Sequence, residues 1–415
     1  MSSSPGRPAS RRVRSRARRP RPALAARRHG AGGRRAVARG AAAVLAAMLI
    51  VVGVAACGSG SGDGGGSAGA GGGDGGAAGG GEATTLRFAY FSGENDPHGR
   101  LWAWWMDEVE RRTDGAVSFE PFWDATLLDA TEMVDGLRDG RVDLATVAPT
   151  YYPGTFPVTN VAELPFVTEN VPAASQAFAE LGRTSEPLRA EWGGQGLHPV
   201  AFNAGPGSAI GSRDPIDSVD DLDGMRLRAL DRGSKLLARA GANLVNIGLP
   251  ELYSSLQRDL VNGYYGVPFA FAGPTRLIEV TEHLTDPGIG LAAMSALAMS
   301  ESGWERLPAD VRDAMEEVSA EVPAQQARFL AAAEDETCAA AREEGVEISV
   351  LPPAEVERLR AGADEIRDAW IAEADDAGYP GERFHREYTT AVAEAADDFP
   401  DYETGLKRCL AGAAG

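Results

Sequence analysis

The sequence predicts an α/β protein of two domains, each a central sheet flanked by helices. Three observations carry that reading. From Asp220 to Gly263 the pattern runs strand–helix–strand–helix–strand. Strand and helix patterns also alternate from Leu86 to Ala148, and such alternation builds a parallel sheet with helices on both faces. The part of the chain able to pack, residues 84–415, is long enough for two cores.

The elements follow in chain order. Residues 1–56 hold thirteen arginines and no Asp or Glu. Ala41–Ala56 is an uncharged apolar run that ends Val54-Ala55-Ala56-Cys57. Small residues before a cysteine read as a signal peptide with a lipoprotein processing site, so 1–56 is leader and Cys57 is lipidated. The competing reading is a transmembrane anchor, for which sixteen residues fall short of the roughly 20 a span needs. Arg34-Arg35 leaves open which export route is used. Residues 57–83 follow the leader, and fifteen of the 24 residues in Gly58–Gly81 are glycine. That composition makes a flexible tether with a mean span of about 25–30 Å.

In the body, Leu86–Phe91 is a first strand and Ser92–His98 a polar loop. Leu101, Trp102, Trp105, Met106 and Val109 form one apolar helix face, with the tryptophans as core. Val117–Phe122 is a strand, Ala130–Asp139 a helix and Val142–Ala148 a buried strand. His198–Ala204 reads as a strand leaving the first domain, and Gly205-Pro206-Gly207 as a joint. After the acidic turn Asp220–Gly224 comes a short strand, Met225–Leu230, carrying Arg228. Ser234–Gly241 is a helix stopped by glycine, and Leu244–Ile247 a strand. Pro250 starts a helix in which Leu252, Leu256 and Leu260 recur every four residues. Ala292–Ser300 returns to the first domain. Residues 308–344 are helical, with a kink expected at Pro323. Ala354–Leu410 reads as two or three helices. Domain 1 is thus 84–204 plus 291–330, and domain 2 is 205–290 plus 331–415.

Thirteen of the 40 basic residues belong to the leader, which leaves 27 against 60 acidic ones. A surface of that sign repels phosphate backbones, so nucleic acid is not a partner. It favours solubility, although compositional bias alone explains it equally well. Cys338 and Cys409 remain beside Cys57, an even pair in an exported chain. They are either a disulfide or two separate buried thiols. The five histidines lack metal-ligand spacing, and there is no Gly-x-Ser-x-Gly elbow. The chain reads as a binding protein rather than an enzyme, with no cofactor. An exported hydrolase stays as a distant alternative.

The residues also carry a resemblance. Leu222-Asp223-Gly224-Met225-Arg226-Leu227-Arg228, then Gly241-Ala242-Asn243-Leu244-Val245, then Glu251-Leu252-Tyr253-Ser254-Ser255-Leu256-Gln257 and Val261-Asn262-Gly263 stand in one order. Upstream lie Asp107–Gly115, Gly140–Leu144 and Glu163-Leu164-Pro165-Phe166, and downstream Trp304–Asp310. This set resembles the solute-binding proteins of TRAP transporters, which feed carboxylates to a secondary permease. The resemblance implies a periplasmic-binding-protein-like fold with a long helix spanning both domains, matched here by the 308–344 run. It implies a monomer that closes on a small organic acid and docks on the small and large membrane subunits of a permease. The receptor of an ATP-driven importer or of a sensor system is the runner-up. The expected location is the outer face of the cell membrane, held by the lipid on Cys57.

Arg228 is the leading ligand residue. A guanidinium fork matches a carboxylate, and the carboxyl edge of an α/β sheet is where ligands bind. The competing role is a structural salt bridge. Further cleft candidates by position are Phe91, Trp123, Thr150, Tyr151, Asn203, Leu249 and Phe269. The chain departs from the family at two places. A second arginine common in relatives falls on Gly207, with Arg213 the nearest substitute. Tyr264 and Tyr265 stand where relatives carry polar contacts, and are expected to face the ligand. One fixed cation and aromatic walls imply a monocarboxylate with an apolar body.

Overall fold

The structure, a computed structural model, describes residues 84–413. The leader, the tether and Cys57 lie outside the described residues. Ten strands form the sheet: β1 (Thr84–Ala89), β2 (Val117–Phe122), β3 (Leu144–Val147), β4 (Leu197–Ser212), β5 (Arg226–Arg228), β6 (Asn243–Val245), β7 (Gly263–Pro268), β8 (His283–Asp286), β9 (Leu291–Ser300) and β10 (Glu347–Val350). Their order is β2-β1-β3-β9-β4-β7-β5-β6, with β8 pairing β4 and β10 pairing β8. The sheet is mixed rather than wholly parallel. β1, β2 and β3 run parallel, as do β5, β6 and β7. The long strands β9 and β4 join the two groups by antiparallel pairing.

β4 explains how the groups are joined. It pairs with β9 from Leu197 to Gly207, then with β7 and β8 from Ser208 onward. Gly205-Pro206-Gly207, read from the sequence as a joint, lies inside a continuous strand, at the place where that strand changes partners. Pro206 fits because its missing N–H removes a bond where pairing shifts. Gly207 fits because a Cβ would sit 2.9 Å from the Gly290 carbonyl oxygen.

The helices follow their apolar stripes. Asp96 caps the helix Pro97–Arg112 by accepting from the Gly99 N–H at 2.7 Å, Pro97 opens its first turn, and Arg111 and Arg112 close it. Trp102 and Trp105 are fully buried, with the Trp105 indole donating to Ser319 Oγ at 3.0 Å. The 308–344 run is two helices, Ala309–Ala320 and Val322–Glu344, not one kinked helix. Pro323 cannot donate to an upstream carbonyl, so the first helix ends and Pro323 sits in the first turn of the next. Gly345, at φ 75°, ends the second helix in the left-handed region. The helix begun at Pro250 is Leu249–Gln257, so Leu252 and Leu256 are core while Leu260 lies beyond it, 57 % exposed. The tail makes four helices: Pro353–Arg360, Ala363–Asp376, Gly381–Ala396 and Gly405–Ala413. It packs on residues far upstream, where the Trp370 indole donates to the Pro157 carbonyl at 2.7 Å and Tyr388 meets Phe178 edge-on. Cys338, on the long helix, is bridged to Cys409 in the last one, with Cα atoms 5.8 Å apart.

Candidate functional site

The chain past the end of a parallel strand lies at the sheet's carboxyl edge, and here four such segments meet. Tyr90, Phe91 and Ser92 follow β1, and Ala148, Thr150 and Tyr151 follow β3. Arg228, Leu230 and Asp231 end and follow β5, while Gly266, Val267 and Pro268 finish β7. The two long strands add Gly205 from β4 and Ala292, Ala293 and Ser295 from β9. These residues line a cleft of about 140 Å³, with His98, Leu249 and Phe271 completing its wall. A larger hollow, about 480 Å³, lies around Leu188, His198 and Trp304, but it holds none of these convergent polar groups.

Arg228 is 3 % exposed, and its position is set by the strands beside it. Its Nε donates to the Ile247 carbonyl at 3.0 Å, past the end of β6. Its Nη1 donates to the Gly266 carbonyl at 3.1 Å and to that of Tyr265 at 3.4 Å, both in β7. All three partners are neutral carbonyls rather than carboxylates, and none of the described residues accepts from Nη2. Burial disfavours the charged guanidinium, which Tyr151 and Asp231 partly offset. The result is an oriented cation with one edge free. It is also the only arginine or lysine among the residues that line the cleft.

Around it, Phe91 and Tyr151 meet edge to face with ring centroids 5.4 Å apart. The Tyr90 hydroxyl lies 3.3 Å from Asp96 Oδ1, so the helix cap also fixes a cleft aromatic. The His98 ring stacks edge-on with Phe271, and its burial pushes the imidazole down to about 4, keeping it neutral. Thr150 Oγ1 donates to Glu163 Oε1 at 2.9 Å, and the Arg232 N–H to Glu163 Oε2 at 3.2 Å. Burial raises the Glu163 carboxyl. Asn203 is fully buried and pairs across the ladder with Ser295, so both point to the cleft face. Neither amide atom of Asn203 has a hydrogen-bond partner, a costly state for a buried group that awaits one.

Phe91, Thr150, Tyr151, Arg228 and Leu249 thus line the cleft; Asn203 is not a lining residue but lies on the same face of β4 as Gly205, which is. Four other candidates do not line it. Tyr264 is covered by Gly211, where a Cβ would come within 2.2 Å of the ring, and its hydroxyl faces Thr281. Tyr265 is 1 % exposed, and its carbonyl rather than its ring serves the site, through Arg228. Both lie inside β7 between β4 and β5, with their rings buried rather than facing the ligand. Trp123 packs on Phe88 and Tyr90, one layer behind the wall. Phe269 is buried beside Gly207 and Ser208, outside the cleft. Gly207 is not a lining position either, and Arg213 is paired with Asp259 and with the Leu256 carbonyl, away from the site. Sequence reasoning missed Tyr90, His98, Asp231 and Phe271. Asp231 carried a readable signal, being an acid three residues past a strand-ending arginine. His98 and Phe271 are brought in by packing alone.

The sequence model of the bacterial extracellular solute-binding protein family 7 matches residues 88–373. The 2,3-diketo-L-gulonate-binding periplasmic protein of Escherichia coli K12 is 23% identical over 269 residues, 64% of this chain and 81% of the relative. The C4-dicarboxylate-binding periplasmic protein of Rhodobacter capsulatus is 25% identical over 245 residues, covering 58% and 72%. Among solved structures, a TRAP solute-binding protein of Rhodoferax ferrireducens T118, in complex with copurified benzoate, superposes with a TM-score of 0.70 at 24% identity. It covers 76% of this chain and 99% of that one. The family match spans well over half of the sequence, and the fold agrees with it: the chain belongs to the bacterial extracellular solute-binding protein family 7.

Proposed function

We propose that this chain is the extracytoplasmic receptor of a TRAP-type secondary transporter, and that it binds an organic monocarboxylate in the cleft around Arg228. The observation that carries this reading is the guanidinium itself, oriented by three carbonyls and left with an open edge toward a largely apolar cavity. A carboxylate satisfies that edge through charge-assisted bonds. Asn203, buried and unpartnered, supplies a second polar contact. Phe91, Tyr151 and Phe271 supply apolar and aromatic surface, worth about 25 cal/mol per Å² buried and suited to planar groups. The cleft holds no second arginine or lysine, so a second carboxylate would be buried unpaired.

The remaining roles are part of the same proposal, and membership of the family supports them. The receptor works as a monomer, binding rather than transforming its ligand, with no cofactor. It delivers the solute to the small and large membrane subunits of the permease. Lipid on Cys57 and the glycine tether keep it at the outer face of the membrane. Residues 84–204 plus 291–330 close on residues 205–290 plus 331–415, with the partner change in β4 as the hinge.

A thermal-shift panel tests the ligand class. A ligand at 100 times its dissociation constant adds about 2.7 kcal/mol of stability. Aromatic or branched monocarboxylates are expected to stabilise the protein, while their amides do not. Stabilisation by succinate, malate or fumarate with none from any monocarboxylate rejects the charge count.

A further inference from the structure

A second ionisable group stands in the cleft, a carboxyl that a simple anion site has no use for. Asp231 lies just past β5, 6 % exposed, and lines the same cavity as Arg228. Its Oδ1 accepts from the Ser234 N–H at 2.8 Å. Its Oδ2 is buried and has no hydrogen-bond partner. Gly266 shows how close the two charges stand: a Cβ there would lie 3.1 Å from Asp231 Oδ2 and 3.4 Å from Arg228 Nη1. The backbone of Gly266, at φ 80°, thus forms the floor between a fixed cation and an unpartnered carboxylate oxygen. Arg228 makes no hydrogen bond to Asp231, because its bonds go to carbonyls. The neighbouring Glu163 carboxylate, held by Thr150 and the Arg232 N–H, adds further negative charge.

A bare carboxylate placed on Arg228 leaves the buried Asp231 Oδ2 without a hydrogen-bond partner, and adds a like charge beside it wherever Asp231 is ionised. A ligand with a donor adjacent to its carboxylate removes both costs at once. Resting on the carboxylate-receptor reading above, we infer that the ligand is a 2-amino or 2-hydroxy acid with an apolar side chain. Arg228 takes the carboxylate, Asp231 Oδ2 accepts from the donor on C2, and the side chain lies against Phe91, Tyr151 and Phe271. An ammonium fits the charge count better than a hydroxyl, since it places a cation opposite Asp231. The ammonium and hydroxyl forms share the geometry and are separated by the experiment.

The test compares acids that differ only at C2, using the full chain freed of bound solute and titration calorimetry at pH 8, where Asp231 is ionised. One series is 3-phenylpropionate, phenyllactate and phenylalanine. A second is 4-methylpentanoate, 2-hydroxy-4-methylpentanoate and leucine, and a third is propionate, lactate and alanine. The expected result is that a 2-amino or 2-hydroxy member binds about tenfold or more tightly than its plain homologue, the increment of one charge-assisted bond. Asp231→Asn should narrow that gap to roughly threefold or less, since a neutral amide gives a weaker bond, and Arg228→Ala should weaken every member. Plain acids that bind as tightly as their substituted homologues overturn this inference and leave the carboxylate receptor standing. Discrimination that persists in a folded Asp231→Asn protein overturns it too. Failure of every acid in all three series overturns both readings. The wild-type comparison decides even where the variant does not fold.

Discussion

Arg228 draws its role from what holds it. Because carbonyls past β6 and in β7 fix its Nε and Nη1, the free edge points one way, and replacement by lysine loses both the fork and the anchoring. Arg228→Ala is expected to weaken ligand binding by about 2–5 kcal/mol, the usual cost of removing one partner of a buried charge pair. Arg228→Lys is expected to bind poorly as well. Calorimetry with any ligand from the panel checks both, and unchanged affinity in the two variants rejects the clamp. Asp231 gives a pH signature in the ligand-free protein. Burial first, then the Glu163 carboxylate, pushes its carboxyl up to about 7, against the Ser234 N–H and the Arg228 guanidinium. Between the ordinary value of 3.8 and about 7, the folded chain keeps a proton that the unfolded chain has released. Stability therefore falls as pH rises through that window. Glu191, also raised to about 7 by burial, acts in the same direction, while His98 and His198, lowered to about 4, act in the opposite one. The informative quantity is the difference between proteins: Asp231→Asn should gain Tm relative to wild type between pH 5 and pH 8. Parallel Tm curves would show that Asp231 does not titrate in that range.

At the scale of elements, the long helix Val322–Glu344 ties the molecule together. Near its start, Gln326 donates to the Ala204 carbonyl at 2.6 Å and lies 2.6 Å from Ser175 Oγ, holding β4 just before its partner change. Further along, Glu334 pairs with Arg408, and Cys338 is bridged to Cys409, 71 residues away in sequence. A cross-link of that span restricts the unfolded chain, and Cys338→Ala together with Cys409→Ala should cost about 2–4 kcal/mol. Denaturant titration measures the loss, and non-reducing peptide mapping checks the bond. Two alkylatable thiols in native, unreduced protein would rule the bridge out. Where apolar spacing was strong, elements were legible: Val117–Phe122 matches residue for residue, and the buried face of Pro97–Arg112 is the one its spacing gave. The helix after Leu249 shows the limit, because the four-residue repeat continues to Leu260 although the helix stops at Gln257. Asp259, at φ 56°, turns the chain there instead.

For the whole molecule, the charge asymmetry between leader and body and the cysteine after a small-residue run lead to one experiment. Intact mass and detergent partitioning of the native protein should show a chain beginning at a lipidated Cys57. Cys57→Ser should release the body from the membrane, and tight retention of that variant would mean that residues 41–56 anchor it directly. No helix among the described residues is long and apolar enough to cross a membrane, so a released body has no second apolar span among its described helices.

The sequence by itself determined the class of the protein: α/β alternation, an arginine ending a strand, and ordered landmarks from Asp107 to Asp310. These are local features, set by periodicity, turn chemistry and residue type, and they survive without knowledge of contacts. It could not determine which side chains share the cleft. Tyr264 and Tyr265 are adjacent in sequence to a lining segment, yet the pleat and the strands on either side bury both rings. His98 and Phe271 reach the site from two different helices and meet across 173 residues of sequence, a contact that no local pattern announces. Tertiary structure alone decided that Asp231 stands unpartnered beside Arg228, because that depends on how β5 is held between β6 and β7 and where Gly266 allows the backbone to pass.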